Sequence, residues 1–427
     1  MLGVSTYAVR EGAKLRENKK EFQKFTSQVF TINILSTIAS YIVLAALVFT
    51  IPNFTSYKVL FLILSMNIGL TTLSVDWLNT IFEDFLYITI RSIVINIISL
   101  LALFAFVKTK EDYIIYAGLQ VLTHGLICVS NWFYCRKYVR LRIEINPDFK
   151  KHLPKLIILF ANALAVSIYV NFDTTMLGLI KGDYYVGLYT APTRIYLVVK
   201  SLMIAIYTVT IPRLSSLFGA NDKIGFKTLY SNLWCTLSLV LIPAGVGLAC
   251  VSEHIILLFG GSSYLGSSTT LQILSFALIF SIFGGLITAC LNVTIGREKE
   301  NLVATILSAL LNCILNIFFI PLMAHNGAAI TTVLAELFVV VYCYLRIPDR
   351  EQYIEQKKIM RAIVHALIGS ATIILTKIAI SLFGINIWME LTSTIIGSAI
   401  VYSITLIMLK DETVIKHCGS FIRRNRR

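Results

Sequence analysis

A chain of 427 residues that is 57% hydrophobic, with only 14% charged residues and a mean hydropathy of +0.78, is too apolar for a water-soluble globule. Its net charge of +14 would suit a nucleic-acid partner, but the bases are dispersed over polar gaps between long apolar runs, which argues against that class. The eight cysteines form no CxxC pair and mostly sit in apolar runs, so they read as small packing residues rather than as a metal site or disulfide framework.

In chain order, Met1 to Ala8 is a short apolar stretch that runs into Arg10, Glu11, Lys14 and Arg16. A secretory signal carries its charges before the apolar part, so this stretch is no signal peptide and reads as the inner end of a helix whose beginning is missing. Twelve apolar runs follow, at 25–51, 58–75, 86–107, 113–134, 155–180, 187–211, 229–251, 269–295, 301–321, 327–346, 359–383 and 388–409. Each is long enough to cross a hydrocarbon core of about 30 Å as a helix. The fold class is therefore an all-α polytopic membrane protein with about twelve transmembrane helices.

Alternate gaps differ sharply in charge. Residues 1–24, 76–91, 135–155, 213–227, 297–300, 346–361 and 410–427 hold 30 of the 37 lysines and arginines, and the opposite gaps only Lys58, Lys108, Lys110 and Lys181. The positive-inside rule places the first set in the cytoplasm, and twelve crossings put both chain ends there. The clusters Arg136, Lys137, Arg140, Arg142 and Arg423, Arg424, Arg426, Arg427 flank helix ends, where an anionic inner leaflet would anchor them.

The stretch Glu21 to Gln28 (EFQKFTSQ), entering the first run, resembles Gly225 to Asn232 (GFKTLYSN), entering the seventh, and Arg10 has a counterpart in Arg213. A repeated basic connector suggests two lobes of the kind transporters use. On that comparison residues 1–134 are an N-lobe of four full helices lacking most of two N-terminal ones. Residues 135–154, with Asn146 and Pro147, form a cytoplasmic linker. Residues 155–346 form a C-lobe of six helices, and 347–427 a terminal helix pair with a basic tail. Pro154 fits a first helical turn, whereas Pro192 and Pro243 fall within spans, where freed carbonyls need neighbours.

No G-x-S-x-G, HExxH, P-loop or outward pair of carboxylates is present, so the chain does not read as an enzyme. Asp76, Glu83 and Asp84, in DWLNTIFEDF, read as solvated charges at a headgroup boundary, and Arg91 either snorkels to the cytoplasm or faces a cavity. A charge near mid-bilayer costs about 2.5–3.5 kcal/mol, so it should face protein or water. Asp173 and Arg194 are nearly level in one helical hairpin, so they either pair or wall a cationic cavity. Lys200 lies deeper, about 120° around the helix from Arg194, and the two can flank a single cavity. Glu336 and His124 lie mid-span, and Asn312 and Asn316 share a helix face from which they can bond across helices.

The segments DWLNTIFEDFLYITIRS, IYVNFDTTMLG, VGLYTAPTRIYLVVKS, VTIPRLS and IPLMAHNGAAITTVLAE, taken in order, resemble successive signatures of Wzx-type polysaccharide flippases of the MOP exporter superfamily. The resemblance runs over essentially the whole chain. It implies a two-lobed helical bundle around a central cavity, here without helix 1 and most of helix 2, plus a terminal helix pair. The implied activity is flipping of undecaprenyl-pyrophosphate-linked oligosaccharide units across a bacterial cytoplasmic membrane, for surface polysaccharides such as O-antigen or capsule. Substrate binding would fall to Arg194, Lys200, Arg91 and Asp173, with the bases offsetting the desolvated pyrophosphate during alternating access. Asp173, Glu336 and His124 are the ion-coupling candidates for a proton or sodium gradient; no other cofactor and no metal is expected. Membrane lipids and a polysaccharide polymerase or chain-length machinery are the expected partners, with no nucleic acid. The competing readings are a peptidoglycan lipid-precursor flippase or a cation-coupled multidrug exporter of the same superfamily. A membrane glycosyltransferase or polymerase is disfavoured, because the longest outward loop, 252–268, holds Glu253 as its one carboxylate.

Overall fold

The computed structural model describes residues 4–50, 58–145, 147–411 and 414. Asn146, Cys418 and the arginine cluster 423–427, with the anchoring role read for it, lie outside the described residues. The described residues are mostly helical, with no strand among them, as expected where lipid leaves backbone groups no partner outside the helix. The helices are α1 Val4–Leu15, α2 Lys19–Thr50, α3 Lys58–Leu73, α4 Asp76–Ile81, α5 Phe85–Phe106, α6 Tyr113–Tyr134, α7 Phe149–Lys181 and α8 Asp183–Thr208. They continue as α9 Ile211–Gly219, α10 Lys223–Cys250, α11 Ser252–Gly260, α12 Ser268–Gly285, α13 Glu298–Leu345, α14 Arg350–Tyr353, α15 Gln356–Ser381 and α16 Ile387–Met408. Ten helical segments among the described residues are long and apolar enough to cross a membrane. One of these, α13, is two spans, and α7, of 33 residues, covers the run at 155–180.

The break in α13 is visible in its backbone. Ala324 adopts φ 48°, ψ −126°, three residues after Pro321. Beyond it the chain folds back, since the Ser308 hydroxyl donates to the Ala335 carbonyl at 3.0 Å and Thr331 to Asn316 at 2.6 Å. Gly327 lies at the crossing, where an added Cβ would stand 2.2 Å from the Phe319 carbonyl oxygen. Backbone cannot yield there as a side chain can. Gly327→Ala is therefore expected to destabilise the protein by about 3 kcal/mol, the upper end of ordinary overpacking. A melting temperature equal to that of the parent in detergent would show that the hairpin has slack.

Two compact units divide the chain, residues 1–168 and 169–427. In the first, Tyr7, Phe22, Phe25, Trp77, Leu78, Ile81 and Leu156 form a buried core. The turn between α4 and α5 places Glu83 at φ 58°, and Arg16 holds it by bonds to the Ile81 carbonyl (3.3 Å) and the Glu83 carboxylate (3.1 Å). Asp84 accepts from the hydroxyls of Tyr138 and Tyr134 and from Lys137 Nζ. These donors, Tyr138 foremost, hold its carboxyl well below the usual carboxylate range. In the second unit α10 packs against α12 and α15 through Leu237, Leu241, Leu274, Leu278 and Ile282. The α16 side chain Tyr402 donates to the Leu239 carbonyl at 2.6 Å, which ties the terminal pair to α10.

The repeat seen in sequence reappears as matched contacts inside each unit. Asn18 accepts from the Glu21 amide at the start of α2, as Asp222 does from the Gly225 amide at the start of α10. Phe22 and Phe226 are both buried. Ser27 accepts the Arg142 amide at 3.3 Å, and Ser231 the Glu355 amide at 2.9 Å. In each unit the polar connection after the last helix of the set thus returns to the same position on the helix that follows the basic connector.

One local expectation changes. Pro154 lies in the second turn of α7, which begins at Phe149; the carbonyl it frees belongs to exposed Lys150, where water can satisfy it. Asp76, Glu83 and Asp84 each meet a base, Arg91, Arg16 and Lys137 in turn, while Glu83 and Asp76 keep 71% and 41% of their side-chain exposure as solvated charges.

Candidate functional site

The second unit contains a cavity of about 150 Å³ lined by polar and charged side chains. Helix α8 supplies Tyr189, Thr193, Tyr196 and Lys200, which recur at intervals of three and four and so share one face. Helix α7 supplies Asp173, and the two halves of α13 supply Asn312, Thr332 and Glu336. Pro192 sits inside α8 between these residues and is itself buried.

Two charged centres occupy this cavity. Lys200 Nζ donates to Glu336 Oε1 and to the Tyr196 hydroxyl, both at 3.1 Å. The side chains of the ion pair keep 25% and 18% of their exposure, so the pair opens onto the cavity rather than being sealed. Asp173 is different. Its carboxylate accepts from Asn316 Nδ2 (2.6 Å), Thr332 Oγ1 (2.8 Å) and the Tyr189 hydroxyl (3.1 Å), all neutral donors. Asn316 is bonded in turn to Asn312 and Thr331. The result is a carboxylate in a nest of amide and hydroxyl groups with no base beside it among the described residues.

The expected substrate-binding residues are therefore separated. Lys200 and Asp173 line one cavity. Arg194 is exposed on α8 and absent from that lining. The alternative of an Asp173–Arg194 ion pair is corrected: Tyr189 is the α8 side chain that meets Asp173, and Arg194, five residues on, points about 140° away. Arg91 belongs to the first unit. It neither snorkels nor faces this cavity; it is buried against Asp76 at 3.3 Å, with Asn131 on the same carboxylate at 2.6 Å.

Of the ion-coupling candidates, Asp173 and Glu336 share the cavity, whereas His124 lies in the first unit, bonded to Asn67 at 3.1 Å and beside Cys128 at 3.5 Å. Asn312 and Asn316 do bond across helices, as their shared face suggested. Tyr189, Tyr196 and Thr332 were not singled out from sequence, because tyrosine and threonine are ordinary in such helices. The spacing back from Lys200 to Tyr196, Thr193 and Tyr189 was the available signal. Among the described residues no three His, Cys, Asp or Glu side chains converge as metal ligands.

A family model described as "Polysaccharide biosynthesis protein" matches residues 1–218, just over half of the chain. The chain belongs to that family. A second family model, MatE, matches residues 158–318, the stretch that carries most of the charged cavity. Among curated relatives, the probable low-salt glycan biosynthesis flippase Agl15 of Haloferax volcanii is 27% identical over 174 residues, 39% of this chain and 35% of the relative. The capsular polysaccharide biosynthesis protein CapF of Staphylococcus aureus is 25% identical over 260 residues, 55% of this chain and 63% of the relative. The lipid II flippase MurJ of Bacillus subtilis is 23% identical over 186 residues, covering 42% and 34%. The matches cover less than two thirds of each relative's length. The solved structure of the lipid II flippase MurJ in its inward closed conformation shares the fold, with TM-score 0.75 and 22% identity over 96% of this chain and 90% of that one. An outward-facing multidrug resistance MATE family transporter of the MOP superfamily aligns at TM-score 0.52 and 15% identity, covering 81% of each chain.

Proposed function

We propose that this protein flips lipid-linked oligosaccharide units across the cytoplasmic membrane for export of a surface polysaccharide. Membership of the polysaccharide biosynthesis family is the observation that carries the reading. Two relatives named for glycan or capsule synthesis, and a fold shared with a lipid II flippase, support it. Charge distribution sets the orientation we adopt, with the loops rich in Lys and Arg, and both chain ends, in the cytoplasm.

The cargo's pyrophosphate is an anion that must shed water to enter the membrane. Arg194 is free to meet it, since it has no acidic partner among the described residues. Lys200 must exchange Glu336 for it, so engagement of the anion and release of Glu336 are one event. Arg91 is already neutralised by Asp76 and serves the fold of the first unit. Asp173 is the coupling group in this scheme. A membrane carboxylate with only neutral partners takes a proton or a small cation to balance its charge, and the surrounding amide and hydroxyl oxygens suit either. Glu336 has Lys200 for that purpose, and His124 is engaged with Asn67.

Expression of the chain in a bacterium deleted for its own repeat-unit flippase tests the reading. Surface polysaccharide should return and the lipid-linked intermediate should stop accumulating. Rescue of cells depleted of their peptidoglycan-precursor flippase instead, or gradient-driven efflux of a cationic dye without polysaccharide rescue, would reassign the cargo.

A further inference from the structure

The first unit holds a second, larger cavity, of about 580 Å³, that the transport scheme does not use. It lies at the end of α6, on the side where the basic gaps cluster. Arg136, Arg140 and Arg142 line it beside Val75, Leu78, Trp132 and Leu141. The backbone after α6 is held in place to make it. Gln23, Ser27 and Thr31, one turn apart on α2, take the Arg140 carbonyl, the Arg142 amide (3.3 Å) and the Glu144 amide (2.8 Å). Arg140 and Arg142 are thereby presented two residues apart on a stretch without helical backbone, and Arg136 joins them from the turn that follows α6.

Charge pairing sets these three arginines apart from the other arginines of the unit. Arg10 holds Glu11, Arg16 holds Glu83 and Arg91 holds Asp76. Among the described residues none of the three has a carboxylate; Arg136 lies over the Phe133 ring at 4.6 Å. Three exposed arginines on one cavity concentrate positive charge there, and the planar fork of arginine matches phosphate oxygens two at a time. The rest of the lining is largely apolar, with Val75 and Leu78 buried and Trp132 packed on Phe30 at 5.2 Å. A tryptophan beside arginines at a membrane boundary suits a ligand with a charged head and an apolar continuation.

We propose that this cavity binds the phosphate headgroup of an anionic membrane lipid from the leaflet on the basic side. It is a lipid site distinct from the charged cavity of the second unit. Its test reads binding, so it stands or falls separately from the transport reading.

The full chain, purified in a neutral detergent, is titrated with dioctanoyl phosphatidylglycerol, dioctanoyl phosphatidylcholine or inorganic phosphate. Melting temperature and the lipids retained in native mass spectrometry are recorded. Phosphatidylglycerol should raise the melting temperature saturably and leave one lipid bound, whereas phosphatidylcholine should do neither. The combined change Arg136→Gln, Arg140→Gln and Arg142→Gln should weaken that binding about tenfold or more, the loss of more than one charge-assisted contact. Arg140→Gln alone leaves the backbone bonds to α2 in place and should weaken it severalfold, which keeps the test readable if the triple variant does not fold. Removal of equal charge elsewhere, by Lys223→Gln with Lys299→Gln and Lys357→Gln, should change nothing. Equal stabilisation by phosphatidylcholine, or undiminished retention in both arginine variants, overturns the proposal. An identical response to inorganic phosphate overturns the lipid assignment in favour of a soluble phosphate.

Discussion

Glu336→Ala is expected to abolish polysaccharide export and to lower stability by about 3 kcal/mol, whereas Lys200→Met combined with Glu336→Leu should regain most of the stability and none of the export. Removing one member of a desolvated ion pair strands the other charge, which costs about 3–5 kcal/mol when burial is complete. Lys200 and Glu336 keep 25% and 18% side-chain exposure, which places the penalty at the low end. Replacing both with apolar groups removes the stranded charge, so the fold tolerates it. Export does not recover, because the cation that meets the anionic cargo is gone. Melting temperature and surface polysaccharide measured on the parent and these two variants separate the two effects. Export by the double variant at parental protein levels would remove the pair from the transport cycle.

Asp173→Asn is expected to cut export at least tenfold while leaving the amount of folded protein in the membrane unchanged. Asparagine keeps the size of the side chain and an oxygen that can accept from Tyr189 and Thr332, and the Asn316 amide, which donates to the other oxygen, must turn to meet the new NH2. What disappears is the negative charge that a coupling cation or proton balances. A tenfold loss corresponds to about 1.4 kcal/mol, a modest demand on a charge held at this depth. A companion measurement distinguishes the ions. If sodium is the partner, sodium chloride should stabilise the parent against heat more than potassium chloride does, and the difference should vanish in the variant. If the partner is a proton, export by the parent should depend on the pH gradient and show no sodium preference. Full export by Asp173→Asn would place coupling elsewhere.

The parts of this protein legible in its sequence are those set by the solvent. The lengths and positions of the spans follow from the thickness of a hydrocarbon layer and the obligation to satisfy every backbone group inside it. The repeat between the entries to α2 and α10 was also visible, because capping and connector chemistry are local: Asn18 and Asp222 act within three residues of themselves. Even the mutual bonding of Asn312 and Asn316 followed from helical spacing.

Pairing of charges did not follow. Depth along the membrane placed Asp173 level with Arg194, yet depth is one coordinate of two. Rotation about α8 turns Tyr189 toward Asp173 and Arg194 away, and that rotation is set by packing against α12 and α13, far along the chain. Lys200 meets Glu336 across 136 residues, and Arg91 meets Asp76 across 15 and a turn with a residue at positive φ. Composition and periodicity determine that a charge must leave the lipid. Only the tertiary arrangement decides which partner receives it, because an ion pair depends on distances of a few ångströms between helices that hydrophobicity alone does not orient.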